Sequence, residues 1–254
     1  MRDSFPTSLP LVFREPPRPC SYLPDQTAAL EYRLYRTLTA IQYSQLLGRG
    51  WRRMGTHFFR PRCPACTQCV SLRVDVAAFQ PSKSQRRCWQ KNQEIETVVE
   101  RPEVSSEQIA LYNAYHADMH ARRGWPNRET SPSEYFEGFL AGPWDFPFEI
   151  RYLAEGQLVG LGLIDVVPDA ISSIYFYHAP ELRSRALGTF SILREIELAR
   201  ELGKRWLYLG YWVSGCQSMA YKNQFGPHEL LSAYVADNDD PVWKRPDSPE
   251  IQDG

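Results

Sequence analysis

The chain has 254 residues, 43% of them hydrophobic and 13% aromatic, with a net charge of −1, which allows a sizeable buried core and excludes a disordered or fibrous class. Six cysteines are too few for a disulfide framework. The longest apolar run, LVGLGLIDVV, is broken by Asp165, and the opening MRDSFPTSLP lacks the apolar stretch of a secretory signal, so no membrane span is expected and the expected compartment is the cytoplasm.

The first 25 residues are Pro-rich and extended, with Cys20 near their end. From Gln26 to Gly50, Leu30, Leu34, Leu38, Ile41 and Leu46 recur at helical spacing, predicting a helix that LGRG closes. SLRVDVAAF alternates Leu72, Val74 and Val76 with Arg73 and Asp75, the pattern of a half-buried strand. A second unit opens at Ser105, which with Gln108 makes a capping pair, and Ile109, Tyr112, Tyr115 (or His116) and Met119 share one face of the helix that follows. FEIRYLAEGQLVGLGLIDVV reads as a hairpin turning at Glu155 and Gly156, and ISSIYFYHAP as a third strand. Gly188 then leads into a helix that Gly203 closes, and WLYLGYW is the next strand. This β-β-β-α-β order predicts an α/β (α+β) fold with a parallel last pair and a right-handed crossover. The expected division is an N-terminal domain over 1–104, a second domain over 105–236 and a polar, ill-ordered tail over 237–254, with no internal repeat.

Residues 48–92 carry ten Lys or Arg against Asp75 alone, a net +9 that the chain average hides. Such a block is the footprint of a polyanion partner. Inside it stand Cys63, Cys66 and Cys69 at strict three-residue spacing. In a reducing compartment that spacing points to a metal or an iron–sulfur cluster. Three thiolates need a fourth, for which Cys20 is the natural candidate, whereas Cys88 and Cys216 read as ordinary buried thiols. Arg60, Arg62 and Arg73 around the cluster are available to a substrate.

Three further constellations stand out. Ser82, Lys83, Ser84, Gln85, Arg86 and Arg87 offer the hydroxyl, amide and cation mix that holds phosphates, or a carboxylate through the arginine fork. Arg183 and Arg185 precede Gly188 at a helix N-terminus, half of the pyrophosphate loop of acetyl-CoA-dependent N-acetyltransferases; Phe190 stands where those proteins need a small residue, so no CoA is expected. Tyr208, Tyr211, Trp212, Tyr221 and Lys222 could line a strand's C-terminal end, and Gly210 inside that strand implies another group lying close to the backbone. No nucleophile motif is present. Chemistry on an already activated substrate, by positioning and charge stabilisation, fits that absence.

CSYLP from Cys20, GWRRMGTHFFRPRCPACTQCVSLRV, PSKSQRR, ALGTFSILREIELARELGKRWLYLGYW and MAYKNQF, in that order, resemble the aminoacyl-tRNA–protein transferases, and within them the short bacterial aspartate/glutamate leucyltransferases, related to the eukaryotic arginyltransferases. The resemblance runs from about Cys20 to Phe225. It implies leucine transfer from Leu-tRNA to the N-terminal amine of proteins beginning with Asp or Glu, creating an N-degron for degradation, with arginine transfer the alternative. It also implies an acetyltransferase-like (GNAT-like) catalytic domain beside a small cysteine-containing domain, working as a monomer. The family cysteines fall on Cys20, Cys63, Cys66 and Cys69, a zinc or iron–sulfur site. Its basic motif falls on Ser82 to Arg87, and later motifs on Tyr175, Leu187, Gly188, Thr189, Tyr208, Gly210, Tyr211, Tyr221 and Lys222. Of these, Tyr175, Tyr208, Tyr211 and Lys222 are the positioning candidates. Ala179 and the segment Arg123–Pro126 depart from the family pattern near the expected acceptor pocket.

Overall fold

Strand pairing, not one long helix, organises the N-terminal segment. The computed structural model describes residues 9–126 and 128–246. The expectations for the chain's first eight residues and for the tail beyond 246 lie outside that range. β1 (Leu11–Arg14), a short ribbon of β2 (Arg18–Pro19) and β3 (Thr27–Ala28), and β4 (Leu30–Leu34) come first. α1 is confined to Ala40–Gly48, capped by a reciprocal Thr39–Gln42 box. β5 (Arg52–Met54) and β6 (His57–Pro61) then complete an antiparallel sheet in the order β1-β4-β6-β5. The helix expected from Gln26 is therefore corrected over its first half. Leu30 and Leu34 are four apart, but Tyr32 lies between them, and all three pair with β6 as a strand. Ile41 of the supposed stripe is 55% exposed.

The main sheet takes strands from both sides of the boundary drawn at residue 105. After β7 (Val70–Asp75), α2 (Lys83–Lys91) and β8 (Glu96–Glu100) come α3 (Ser106–Arg123), α4 (Pro132–Tyr135) with a π-helical turn over Phe136–Leu140, and the β9 (Pro147–Ala154)–β10 (Gln157–Val166) hairpin. β11 (Ala170–His178), α5 (Leu187–Glu201), β12 (Trp206–Trp212), α6 (Gln217–Ala220), β13 (His228–Leu231) and β14 (Trp243–Lys244) follow. The eight strands run β14-β13-β7-β12-β11-β10-β9-β8, antiparallel except for β11 with β12. The parallel β11–β12 pair with α5 between the two strands matches the expected order. The division at 104/105 does not hold as a structural boundary, because β7 is hydrogen-bonded to β12 and to β13, deep inside the second unit's sheet. Nor is the tail loose at its start, since β14 pairs with β13 and Trp243 packs edge-on against Tyr208.

Alternation along the strands sends neighbouring side chains to opposite faces. Leu207 and Leu209 of β12 pack with α2 and α5, while Trp206 and Tyr208 pack with Trp51, Phe58 and α1. α3 covers Leu161, Leu163 and Tyr177. The small sheet is bolted on by a buried ion pair in which Arg53 grips both carboxylate oxygens of Asp165 at 2.9 and 2.7 Å.

Candidate active site

β11 and β12 pair at Ala170–Trp206, Ile171–Leu207 and Ser172–Tyr208, then part. Two bulges lie at the parting. One falls between Leu163 and Ile164 against β11, the other between Tyr208 and Gly210 against β7. Bulges bend a strand away from its neighbour. Consequently Ser173, Ile174, Tyr175 and Phe176 are only half-buried in the middle of an eight-stranded sheet. The sheet opens there into a cleft.

Gly210 allows this geometry through its backbone. Its φ of +79° is open to glycine at little cost. A Cβ at that position would sit 3.5 Å from the guanidinium of Arg52. The close approach expected at Gly210 is thus made by an arginine of β5. Arg52 is 5% exposed and donates from Nη2 to the Ser173 carbonyl. From the opposite face, α5 supplies Glu195, which is fully buried and accepts a hydrogen bond from the Ser173 hydroxyl at 3.2 Å. Arg52 Nη1 and Glu195 Oε2 have no partner among the described residues. Burial pushes the Glu195 carboxyl up to about 8, the nearby Arg52 only partly opposing it.

The rim is aromatic. The Tyr175 hydroxyl lies 2.9 Å from His116 Nε2, and His116 stacks on Tyr112 with Trp125 beside it. Burial lowers the His116 imidazolium and raises the Tyr175 phenol, so both are neutral near pH 7 and can trade hydrogen-bond roles. Tyr221 is 39% exposed at the end of α6. Its neighbour Lys222 donates to the Tyr211 carbonyl at 2.9 Å, and burial, with Arg52 nearby, lowers its ammonium to about 7. An apolar cleft carrying a buried carboxyl, a buried guanidinium and a low-pKa amine can bind a zwitterionic group and move a proton.

Residues 18–87 match the family model described as arginine-tRNA-protein transferase, N terminus, and residues 107–232 the one described as arginine-tRNA-protein transferase, C terminus. A curated aspartate/glutamate leucyltransferase of Helicobacter hepaticus is 36% identical over 225 residues, which is 89% of this chain and 93% of the relative. The chain belongs to the arginine-tRNA-protein transferase family. Another member of the same name, from Halorhodospira halophila, is 40% identical over 84% of this chain and 90% of its own length. Among solved structures, FemX covers 79% of each chain at 8% identity and a TM-score of 0.42.

Within this family member the residues singled out in sequence divide sharply. Lys222 and Gly210 both lie beside Arg52, Tyr221 caps the end of α6 next to Lys222, and Tyr175 is on β11 beyond the parting, against His116. The hydroxyl of Tyr211 lies 3.0 and 3.1 Å from the carbonyls of Gly50 and Phe59, tying the small sheet to β12, and Tyr208 is buried against Trp243 with Arg73 at 3.3 Å. Ser82 and Gln85 close the capping box of α2, and Gln85 also donates to the Gln224 carbonyl, fastening the Lys222 segment. Ser84, Lys83, Arg86 and Arg87 are exposed on α2, where Arg86 donates to Pro81 and lines a cavity of about 370 Å³ with Trp89, Gln93, Leu193 and Glu197. That cavity lies on the side of α5 turned away from Glu195, because Leu193 and Glu197 are each two residues, some 200°, from it. Arg183 pairs with Asp118 and Arg185 with Glu94, so both arginines of the half pyrophosphate loop are engaged, while Gly188 and Thr189 are half-buried in the first turn of α5.

The +9 block is also less available than its count suggests. Arg53, Arg60 and Arg73 pair with Asp165, Glu31 and Glu229, and Arg49 donates to the carbonyls of Asp237 and Asp239. Arg62 stays exposed beside the cysteines. Arg52 and Glu195 were missed, yet Glu195 has a signal in the sequence. It lies on the stripe of Leu187, Ser191, Ile192, Ile196 and Ala199, a carboxylate on the core face of an amphipathic helix.

The four expected metal ligands are neighbours. Cys20 on the β2–β3 ribbon and Cys63, Cys66 and Cys69 between β6 and β7 are all half-buried thiols. Burial and the charges of Cys63, Cys20 and Cys66 push the Cys69 thiol up to about 12, and Cys216 adds to that field. Among the described residues no three His, Cys, Asp or Glu side chains already converge as a metal cage. The donor set nevertheless suits a thiophilic centre: four half-buried thiols with mutually repelling thiolates, which a soft cation would neutralise.

Proposed function

We propose that this protein transfers leucine from Leu-tRNA to the N-terminal amine of proteins that begin with Asp or Glu, making them substrates for degradation. The observation that carries this reading is the match over nine-tenths of the length of relatives bearing that activity in their names. The catalytic unit is GNAT-like, a reading supported by the parallel β11–β12 pair that parts over a cleft. The leucyl ester is already activated, so the acceptor amine attacks its carbonyl, a tetrahedral oxyanion forms and the ribose hydroxyl leaves. Aromatic side chains at the rim suit the leucyl and terminal adenine groups, and exposed Arg62, Lys83, Arg86 and Arg87 suit tRNA phosphates. The protein works in the cytoplasm as a monomer. Among the described residues no helix is long and apolar enough to cross a membrane.

Cys20, Cys63, Cys66 and Cys69 hold zinc or an iron–sulfur cluster that pins the β2–β3 ribbon to the loop before β7. Cys66→Ser is expected to lower the metal bound per chain, measured by elemental analysis of anaerobically purified protein, and to lower the unfolding temperature. Unchanged metal content would refute the assignment.

Arginine is the second donor, favoured by the family models that match both halves. Incubation with radiolabelled Leu-tRNA or Arg-tRNA and peptides beginning with Asp, Glu, Asn or Arg distinguishes the two. Leucine on the acidic peptides only is the expected product, and label on none of them would defeat the reading.

A further inference from the structure

Arg52 and Glu195 are charged side chains at the parting of β11 and β12 with buried polar atoms that have no partner among the described residues. Buried donors and acceptors are satisfied in the great majority of cases, so such a pair needs a reason. Among the described residues neither forms an ion pair. Each instead holds a different atom of Ser173, Arg52 the carbonyl and Glu195 the hydroxyl. They approach from opposite faces of the sheet and meet where β11 leaves β12. A buried guanidinium and a buried carboxyl that hold different atoms of one residue and do not pair with each other complement a ligand with a carboxylate and an amine a few bonds apart. N-terminal Asp has two carbons between these groups and N-terminal Glu three.

Resting on the transferase reading above, we propose that Arg52 and Glu195 form the acceptor pocket, Arg52 binding the side-chain carboxylate of the N-terminal Asp or Glu and Glu195 receiving a proton from its α-amine. The neutral amine attacks the leucyl carbonyl, forming the C–N bond. Its proton passes to the Glu195 carboxylate and on to the ribose oxygen, which departs with the electron pair of the broken C–O bond as a hydroxyl. A Glu195 carboxyl near 8 is matched to an α-amine whose usual value is about 7.7 to 8.0, the condition for efficient exchange between them. Arg52 is suited to a carboxylate because its Nη1 has no partner among the described residues. Gly210 lies against it: a Cβ there would be in van der Waals contact with the guanidinium, at 3.5 Å.

The test uses the full chain with Asp-initial and Asn-initial peptides, following binding by fluorescence anisotropy without tRNA and transfer with Leu-tRNA. Arg52→Gln should lower kcat/KM for the Asp peptide on the order of 10²- to 10³-fold, mostly through KM, and collapse the preference for Asp over Asn. Arg52→Lys should recover part of it. Glu195→Gln should leave peptide binding within a few-fold and reduce kcat on the order of 10²-fold or more. A folded Arg52→Gln protein with the wild-type Asp/Asn ratio overturns the proposal, as does unfolding of both Arg52 variants, which would make Arg52 scaffold. A Glu195→Gln protein altered only in its KM for Leu-tRNA overturns the role given to Glu195. Failure of the transferase reading looks different: the peptide would bind through Arg52, yet no amino acid would be moved.

Discussion

Asp165→Ala is expected to destabilise the fold by about 3 to 5 kcal/mol, because it leaves the Arg53 guanidinium charged and unpaired in the interior. The two side chains are 2% and 0% exposed, and the remaining arm of Arg53 is held by the carbonyls of Gly55 and Phe139. The loss spans two layers, since Arg53 belongs to β5 of the small sheet and Asp165 to β10 of the main one. For a chain of this size it corresponds to a fall in Tm on the order of 6 to 20 °C. Calorimetric unfolding of Asp165→Ala, Arg53→Met and the Arg53→Met, Asp165→Leu double variant checks it. The double variant should recover most of the loss, as apolar replacements of buried ion pairs commonly do. A single-variant Tm within 2 °C of wild type would show that the pair does not hold the layers together.

Glu195→Gln should make the protein more stable and less active. In the folded state the carboxyl is raised from its ordinary 4.5 to about 8 by burial. Between those values the unfolded chain has released this proton while the folded chain keeps it, so the native state binds more protons and stability falls as pH rises. At pH 8 and above the accumulated penalty is on the order of 4 to 5 kcal/mol at full effect. Glutamine keeps the shape and the acceptor for the Ser173 hydroxyl but does not titrate. Chemical denaturation at pH 5 and pH 8.5 should therefore show wild-type stability dropping across the interval and Glu195→Gln staying nearly flat in this contribution. Parallel curves for the two proteins would mean that Glu195 is ionised at ordinary cost in the fold. A buried carboxyl that lowers stability in the working pH range is the trade expected of a functional group.

Much of the local architecture was legible in the sequence because the forces that make it act over four residues or fewer. Ser105 and Gln108 cap α3 as their spacing implies, and Thr39–Gln42, Ser82–Gln85 and Ser131–Glu134 form the same box on three other helices. Glu155 and Gly156, with φ of 50° and 77°, turn the β9–β10 hairpin where the alternation breaks. The C-x2-C-x2-C spacing and the ordered motifs identified the family before any pairing was known.

What neighbours in sequence could not decide were the pairings across the chain. The +9 of residues 48–92 looked like an external surface, yet its arginines meet Asp165, Glu31 and Glu229, up to 156 residues away. The segment from Leu30 became a strand because β1 and β6 were there to pair with it. Tyr208 and Tyr211 share the strand that lines the cleft but spend their hydroxyls on the scaffold. Arg52 looked like one basic residue among ten, and the place of Glu195 on the core face of its helix did not say that Arg52, 143 positions earlier, would share Ser173 with it. Only the parting of β11 from β12 brings them to Ser173. Helical and strand periodicity, capping and motif order belong to the sequence itself, whereas which charge is neutralised and which is left facing a cleft depends on sheet register, and register is set by the whole core at once.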